Sequence, residues 1–204
     1  FLDGHYLFRN FDNELYKRSF KRLWETFDPG KYFFLGSDIA QFQHLETQLD
    51  DLVGRADCKF LFDVQDVFKK RFKERHDHIL ALLAKPFSFD VDEEMVVDPK
   101  KVGWAKDAAE LNERWRKRIK FQVMGMKEGL SEPEARERLK KRYEQIAKRN
   151  LEQDSDDAYN NFLNSFASAL DPHSTFFLPA DQEDFNIRLQ NSLEGIGANL
   201  TETN

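Results

Sequence analysis

From Phe8 to Leu170, residues 86–103 apart, the apolar residues of this chain return every three or four positions, and that period decides what the chain can fold into. Phe8, Phe11, Leu15, Phe20, Leu23, Trp24 and Phe27 form a first helical stripe over residues 4–27, ended by Asp28-Pro29-Gly30. Lys31 to Leu35 is a short apolar connector. Ser37 reads as an N-cap, with Asp38 favoured near the positive helix end, ahead of a stripe of Phe42, Leu45, Leu49 and Leu52 that Gly54 closes. A third helix is predicted from Lys59 to Ala84, with Leu61, Val64, Phe68, Phe72, Ile79 and Leu83 inward, stopped at Lys85-Pro86. A fourth, over 105–127, aligns Leu111, Trp115, Ile119 and Met126. Ser131 and Glu134 are spaced as a capping box for a fifth, which buries Ala135, Leu139, Tyr143 and Ile146. Ser155 is read as the cap of a sixth carrying Tyr159, Phe162, Phe166 and Leu170. A seventh, over 180–191, presents Phe185, Ile187 and Leu189 less regularly. Residues 86–103 lack a helical period, carry Asp90, Asp92, Glu93, Glu94 and Asp98, and read as a long loop with a short strand near Met95-Val96-Val97. The expected fold is all-α, about seven helices with a short extended segment at the C-terminal end.

Isolated helices of this length are marginal in water, so the stripes must pack on one another. The 20 Phe among 204 residues supply the means, and 33% charged residues suit helices with one wet face. A net charge of −6, from 37 acidic and 31 basic residues, argues against a general nucleic-acid binder, which needs surplus cations to displace phosphate counterions. No apolar run approaches the length of a membrane span, and Phe1-Leu2-Asp3-Gly4-His5 lacks the basic and apolar regions of a signal peptide. Cys58 is the one cysteine, so no internal disulfide can form.

The most specific residues lie after the last strong stripe, in Asp171-Pro172-His173-Ser174 and in Leu193-Glu194-Gly195-Ile196-Gly197-Ala198-Asn199-Leu200. Asp171, His173 and Ser174 are too close in sequence to converge as a catalytic triad, and Asp171 and Ser174 are expected to satisfy free backbone groups at a turn. In Gly195-Ile196-Gly197-Ala198 a Gly-x-Gly bend can turn successive N–H groups into an anion-binding concavity, although alone it reads as an ordinary turn. A dinucleotide fingerprint is a poor fit, since Leu200 stands where the third glycine belongs. His76-Asp77-His78 has the wrong spacing for a helical zinc pair and is expected on a solvated face. Arg114, Arg116, Lys117, Arg118 and Lys120 form one basic cluster, and Arg136, Arg138, Lys140, Lys141 and Arg142 another. Both interleave with glutamates and read as solubility and weak i,i+4 pairing.

Asp171, Pro172, His173, Ser174, Leu178, Phe185, Asn186 and the Ser192-Leu193-Glu194-Gly195-Ile196-Gly197-Ala198 run with Leu200 together resemble the tail-specific, or carboxyl-terminal processing, peptidases. Leu35-Gly36-Ser37-Asp38-Ile39, Leu49-Asp50-Asp51, Glu110-Leu111 to Trp115-Arg116-Lys117-Arg118 and Lys141-Arg142-Tyr143-Glu144 extend the resemblance upstream. It implies an N-terminal helical domain over 1–170, a connector over 171–192 and the first strand of a PDZ domain over 193–204. It also implies that the N–H groups of Gly195, Ile196, Gly197 and Ala198 face a substrate's C-terminal carboxylate, with Leu193 lining the adjoining apolar pocket. The family cuts peptide bonds with a Ser/Lys dyad that would lie beyond Asn204, so no residue here is assigned as catalytic and these 204 residues alone are expected to be inactive. It implies polypeptide substrates with free C-termini, no cofactor or metal, a periplasmic location and, as a candidate partner, an adaptor protein on the helical domain. The competing reading is a non-enzymatic helical adaptor or scaffold.

Overall fold

A computed structural model describes residues 13–171 and 173–190. The described residues form eight α-helices and one 3-10 turn: α1 (Asn13–Phe27), α2 (Gly36–Gln41), α3 (Leu45–Gly54), α4 (Lys59–Leu83), the 3-10 turn Pro99–Lys101, α5 (Ala108–Met126), α6 (Glu132–Leu151), α7 (Ser155–Leu170) and α8 (Pro179–Gln190). The all-α expectation holds.

The 25-residue α4 is the spine of two cores. Its first half buries Phe60, Leu61, Val64, Phe68 and Phe72 with α1, Phe42, Leu45, Leu49 and α7. Its second half buries Ile79 and Leu83 with Leu111, Ile119 and Val123 of α5 and Ala135 and Leu139 of α6. Accordingly α1 packs on α7 and α3, and α4 packs on α5, α6 and α7.

The connector between α1 and α2 bridges the cores. Asp28, 1% exposed, accepts the N–H groups of Tyr32 (2.8 Å), Phe33 (2.7 Å) and Phe34 (3.1 Å). Burial pushes its carboxyl above the usual range, and the backbone donors pull it back. The tight loop puts a Cβ at Gly30 only 2.6 Å from the Tyr32 ring, so a larger residue cannot stand there without displacing that ring. Phe33 then stacks on Phe72 at 5.0 Å, and Trp115 donates its indole N–H to the Tyr32 carbonyl at 2.6 Å.

Several local expectations change. Ser37 is exposed inside α2, and Leu35 is the N-cap. The reason is Asp38, which takes the Leu35 N–H at 2.8 Å and both Nε and Nη2 of Arg71, each at 2.8 Å. The Phe42–Leu52 stripe is two helices, because tight i to i−3 bonds at Phe42, Gln43 and Leu45 break the ladder while Phe42, Leu45 and Leu49 stay buried. Asp154, not Ser155, caps α7, accepting the N–H groups of Asp156 (2.9 Å) and Asp157 (3.2 Å). Tyr159 is 36% exposed, its ring resting on Phe62 at the rim. No strand forms at Met95–Val97, where the chain instead runs open into the 3-10 turn. At the fifth predicted helix the Glu134 carboxylate takes both the N–H (2.9 Å) and the hydroxyl (2.6 Å) of Ser131.

Candidate functional site

Gly195, Ile196, Gly197, Ala198 and Leu193, the residues expected to face a peptide carboxylate, lie outside the described residues, as does the expected extended segment over 193–204. The structure does describe the turn and helix that lead to them. Asp171 leaves α7 in an extended conformation. Its carboxylate accepts the His173 N–H at 2.8 Å and the Ser174 hydroxyl at 2.6 Å, as the turn reading expects. Asp171 thus engages the backbone of His173 and the side chain of Ser174 as the acceptor of a local turn. Asn164 of α7 accepts the Phe176 N–H at 3.0 Å and ties the turn back to the bundle. Beyond it, Phe177 stacks on Phe185 of α8 at 5.0 Å, and both rings are about two-fifths exposed (38% and 42%).

The family described as the tail-specific protease N-terminal domain matches residues 1–180. This chain belongs to that family. A tail-specific protease of Haemophilus influenzae is 31% identical over 199 residues, an alignment that covers 97% of this chain and 29% of that protein. The chain therefore spans less than a third of the length of this relative.

Within this tail-specific protease domain the second described feature is a strap, residues 86–107, lying along α5. Glu93 is its latch. Its carboxylate receives Arg116 and, at 2.5 Å, Lys120, and those two hydrogen bonds hold its pKa down to about 2. Arg116 also binds Glu113 at 2.7 Å, and its two carboxylate partners keep it firmly protonated. Lys117 donates to the Glu94 carbonyl (3.1 Å), Lys120 to the Val91 carbonyl (3.3 Å) and Arg114 to the Gly103 carbonyl (2.8 Å). At the far end the Gly36 N–H reaches the Ala105 carbonyl at 2.8 Å. Arg118 lies over the Tyr32 ring at 4.2 Å. The first basic cluster keeps local pairs, Arg114 with Glu110 and Arg116 with Glu113, and in addition clamps the acidic strap through Arg114, Arg116, Lys117 and Lys120. The signal was the acidic run Asp92-Glu93-Glu94, which needs a basic face and finds one on α5. In the second cluster Arg136 donates to the Leu83 carbonyl at 2.9 Å, while Arg138, Lys140, Lys141 and Arg142 are exposed.

Clefts open along the strap, two of them bordered by Met95 and Lys117. One, of about 390 Å³, is lined by Tyr32, Met95, Val96, Val102 and the α5 residues Arg114 and Lys117. The other, of about 200 Å³, lies among Phe89, Val91, Met95, Phe121 and Met124, with Lys117 and Lys120 at its rim.

The solvated face expected for His76-Asp77-His78 is corrected. Only Asp77 is exposed, and a ring nitrogen of His78 lies 3.3 Å from the Asn112 carbonyl, because α5 packs over that side of α4. Burial lowers the His78 pKa and favours the neutral ring. Among the described residues no three His, Cys, Asp or Glu side chains converge as metal ligands, and no helix is long and apolar enough to cross a membrane.

Proposed function

We propose that this domain is the N-terminal, substrate-enclosing part of a periplasmic serine protease that degrades or processes proteins from nonpolar C-termini. The observation that carries the reading is the family match over residues 1–180, joined to the Asp171 turn, which is tied back to α7 ahead of the Gly-x-Gly segment. In this reading the N–H groups of Gly195 to Ala198 hold the substrate's terminal carboxylate and Leu193 lines the pocket for its last side chain, so a free C-terminus is selected by charge and an apolar residue by desolvation. The peptide bond is cut elsewhere in the parent, by a serine whose proton passes to a neutral lysine while an oxyanion hole steadies the tetrahedral intermediate. The helical domain walls the space through which the polypeptide is threaded.

The test sets the full-length parent and the 204-residue chain against the same unfolded polypeptide. Cleavage by the parent, blocked by a serine-directed reagent, with none by the chain, is expected. Inhibitor-sensitive cleavage by the chain alone would overturn the division of labour.

A further inference from the structure

The strap has a property that neither the clamp nor the fold uses. From Val91 to Val97 no backbone N–H donates a hydrogen bond to any described atom of the protein. Only two carbonyls in the run are engaged, those of Val91 and Glu94, each by a lysine of α5. Backbone groups that find no partner within a fold are held by water or by a ligand. Val91, Asp92, Glu93 and Met95 line the cleft against α5, and Glu94, Met95 and Val96 line the larger one, so the run borders both. Val96 and Val97 are 55% and 75% exposed and β-branched. Acidic residues at 92–94 guard the first half of the run against chance pairing, whereas Met95 to Val97 carries no such guard.

We infer that the Val91–Val97 strap is a docking edge for an extended segment of substrate polypeptide, which adds as a strand along it and seats apolar side chains in the two flanking clefts. The occupant follows from the groups on offer. A row of free donors, with every acceptor but those of Val91 and Glu94 also free, is complemented by another peptide backbone, and clefts lined by Met95, Val96, Phe121 and Met124 take apolar side chains. The clamp supplies the rigidity. With Glu93 latched to Arg116 and Lys120, the edge is held ready rather than ordered anew at each encounter, which lowers the entropic cost of binding. The inference deepens the proposed function, since it rests on this domain handling polypeptide substrates. It places a second contact on the chain being degraded, away from its terminal carboxylate.

The probe is a short, fluorescein-labelled peptide of alternating threonine and valine with an amidated C-terminus, which offers no carboxylate to Gly195–Ala198. Fluorescence polarisation with the 204-residue chain reports binding. Methylating alternate backbone nitrogens of the peptide leaves its side chains in place and removes its donors, and should weaken binding by at least ~10-fold. Val96→Pro and Val97→Pro each delete an N–H that makes no internal bond, so the fold should hold, as the unchanged helical circular dichroism will confirm. Successive N–H groups of an extended chain point to opposite edges. One of the two variants should therefore lose ~10-fold in affinity while the other binds like the parent. Equal binding of the methylated peptide, or parent-like binding by both proline variants, would overturn the inference. Binding of the free-acid peptide alone would also overturn it, while leaving the carboxylate-capture reading intact.

Discussion

Around α1 and α7 the helices meet through rings: Trp24 lies edge-on to Phe34 at 5.2 Å, Phe27 meets Phe68 at 5.4 Å, and Phe60 meets Phe162 at 5.4 Å. Beside α5 and α6 the contacts are mostly aliphatic, with Trp115 at their edge, and an acidic strap is clamped across the outside by Arg116, Lys117 and Lys120. The difference is one of range and of sensitivity. Ring packing is dry and indifferent to salt, so that half answers to side-chain volume. The clamp sits at the surface, where ion pairs are screened and side-chain order is costly, so that half's outer layer answers to pH and ionic strength. The domain thus has a fixed frame and, on one side of it, a polypeptide-sized edge whose position is set by charge.

The sharpest way to break this contrast is to cut into the rings. Phe34→Ala, at a fully buried site, should lower stability by about 3–5 kcal/mol, with a similar loss for Trp115→Ala, and denaturant unfolding should show the same loss at low and high salt. A parent-like midpoint would mean that the aromatic core is misassigned. Next in size is Asp38→Ala, which leaves Arg71 without its bidentate partner and the Leu35 N–H unanswered in a buried corner. It should cost about 3 kcal/mol and fray α2 first, visible as faster amide exchange from Leu35 to Gln41.

The helices were legible because their stripes are local. Stripes in α4, α5 and α6, the Ser131–Glu134 cap and the Asp171 turn can all be read within a few residues of themselves. What could not be read depends on partners far along the chain. Leu35 rather than Ser37 caps α2 because Asp38 is committed to Arg71, 33 residues away. His78 is covered because α5 packs over it. Glu93 looks like any loop carboxylate until Arg116 and Lys120 are folded against it. The carboxylate loop expected at Gly195–Ala198 rests on its family pattern and lies outside the described residues.

Smaller effects sharpen the other side of the comparison. Glu93→Gln should loosen the strap without unfolding the cores, seen as faster proteolytic nicking between 86 and 107 and suppressed in the parent only at low salt. Because the folded pKa of Glu93 is depressed, its contribution is present above the ordinary value of 4.5 and is lost as pH falls through about 2. The nicking difference between parent and variant should therefore shrink across that window and not above it, and a difference that persists at pH 2 would detach the latch from this carboxylate. Smallest of all, Phe177→Ala, at an exposed pair beyond the cores, should shift stability by only roughly 0.5 kcal/mol, as calorimetry can resolve.

The frame and its edge have meaning only if the parent takes hold of polypeptides by their ends. The measurement that bears on this most directly compares degradation by the full-length protein of one unfolded polypeptide ending in nonpolar residues, prepared as the free acid and as the C-terminal amide. The account predicts that the acid is consumed at least ~10-fold faster, the amide having lost its charge-assisted bonds to the Gly195–Ala198 backbone. Equal rates for the two, or no cleavage of either, would contradict it.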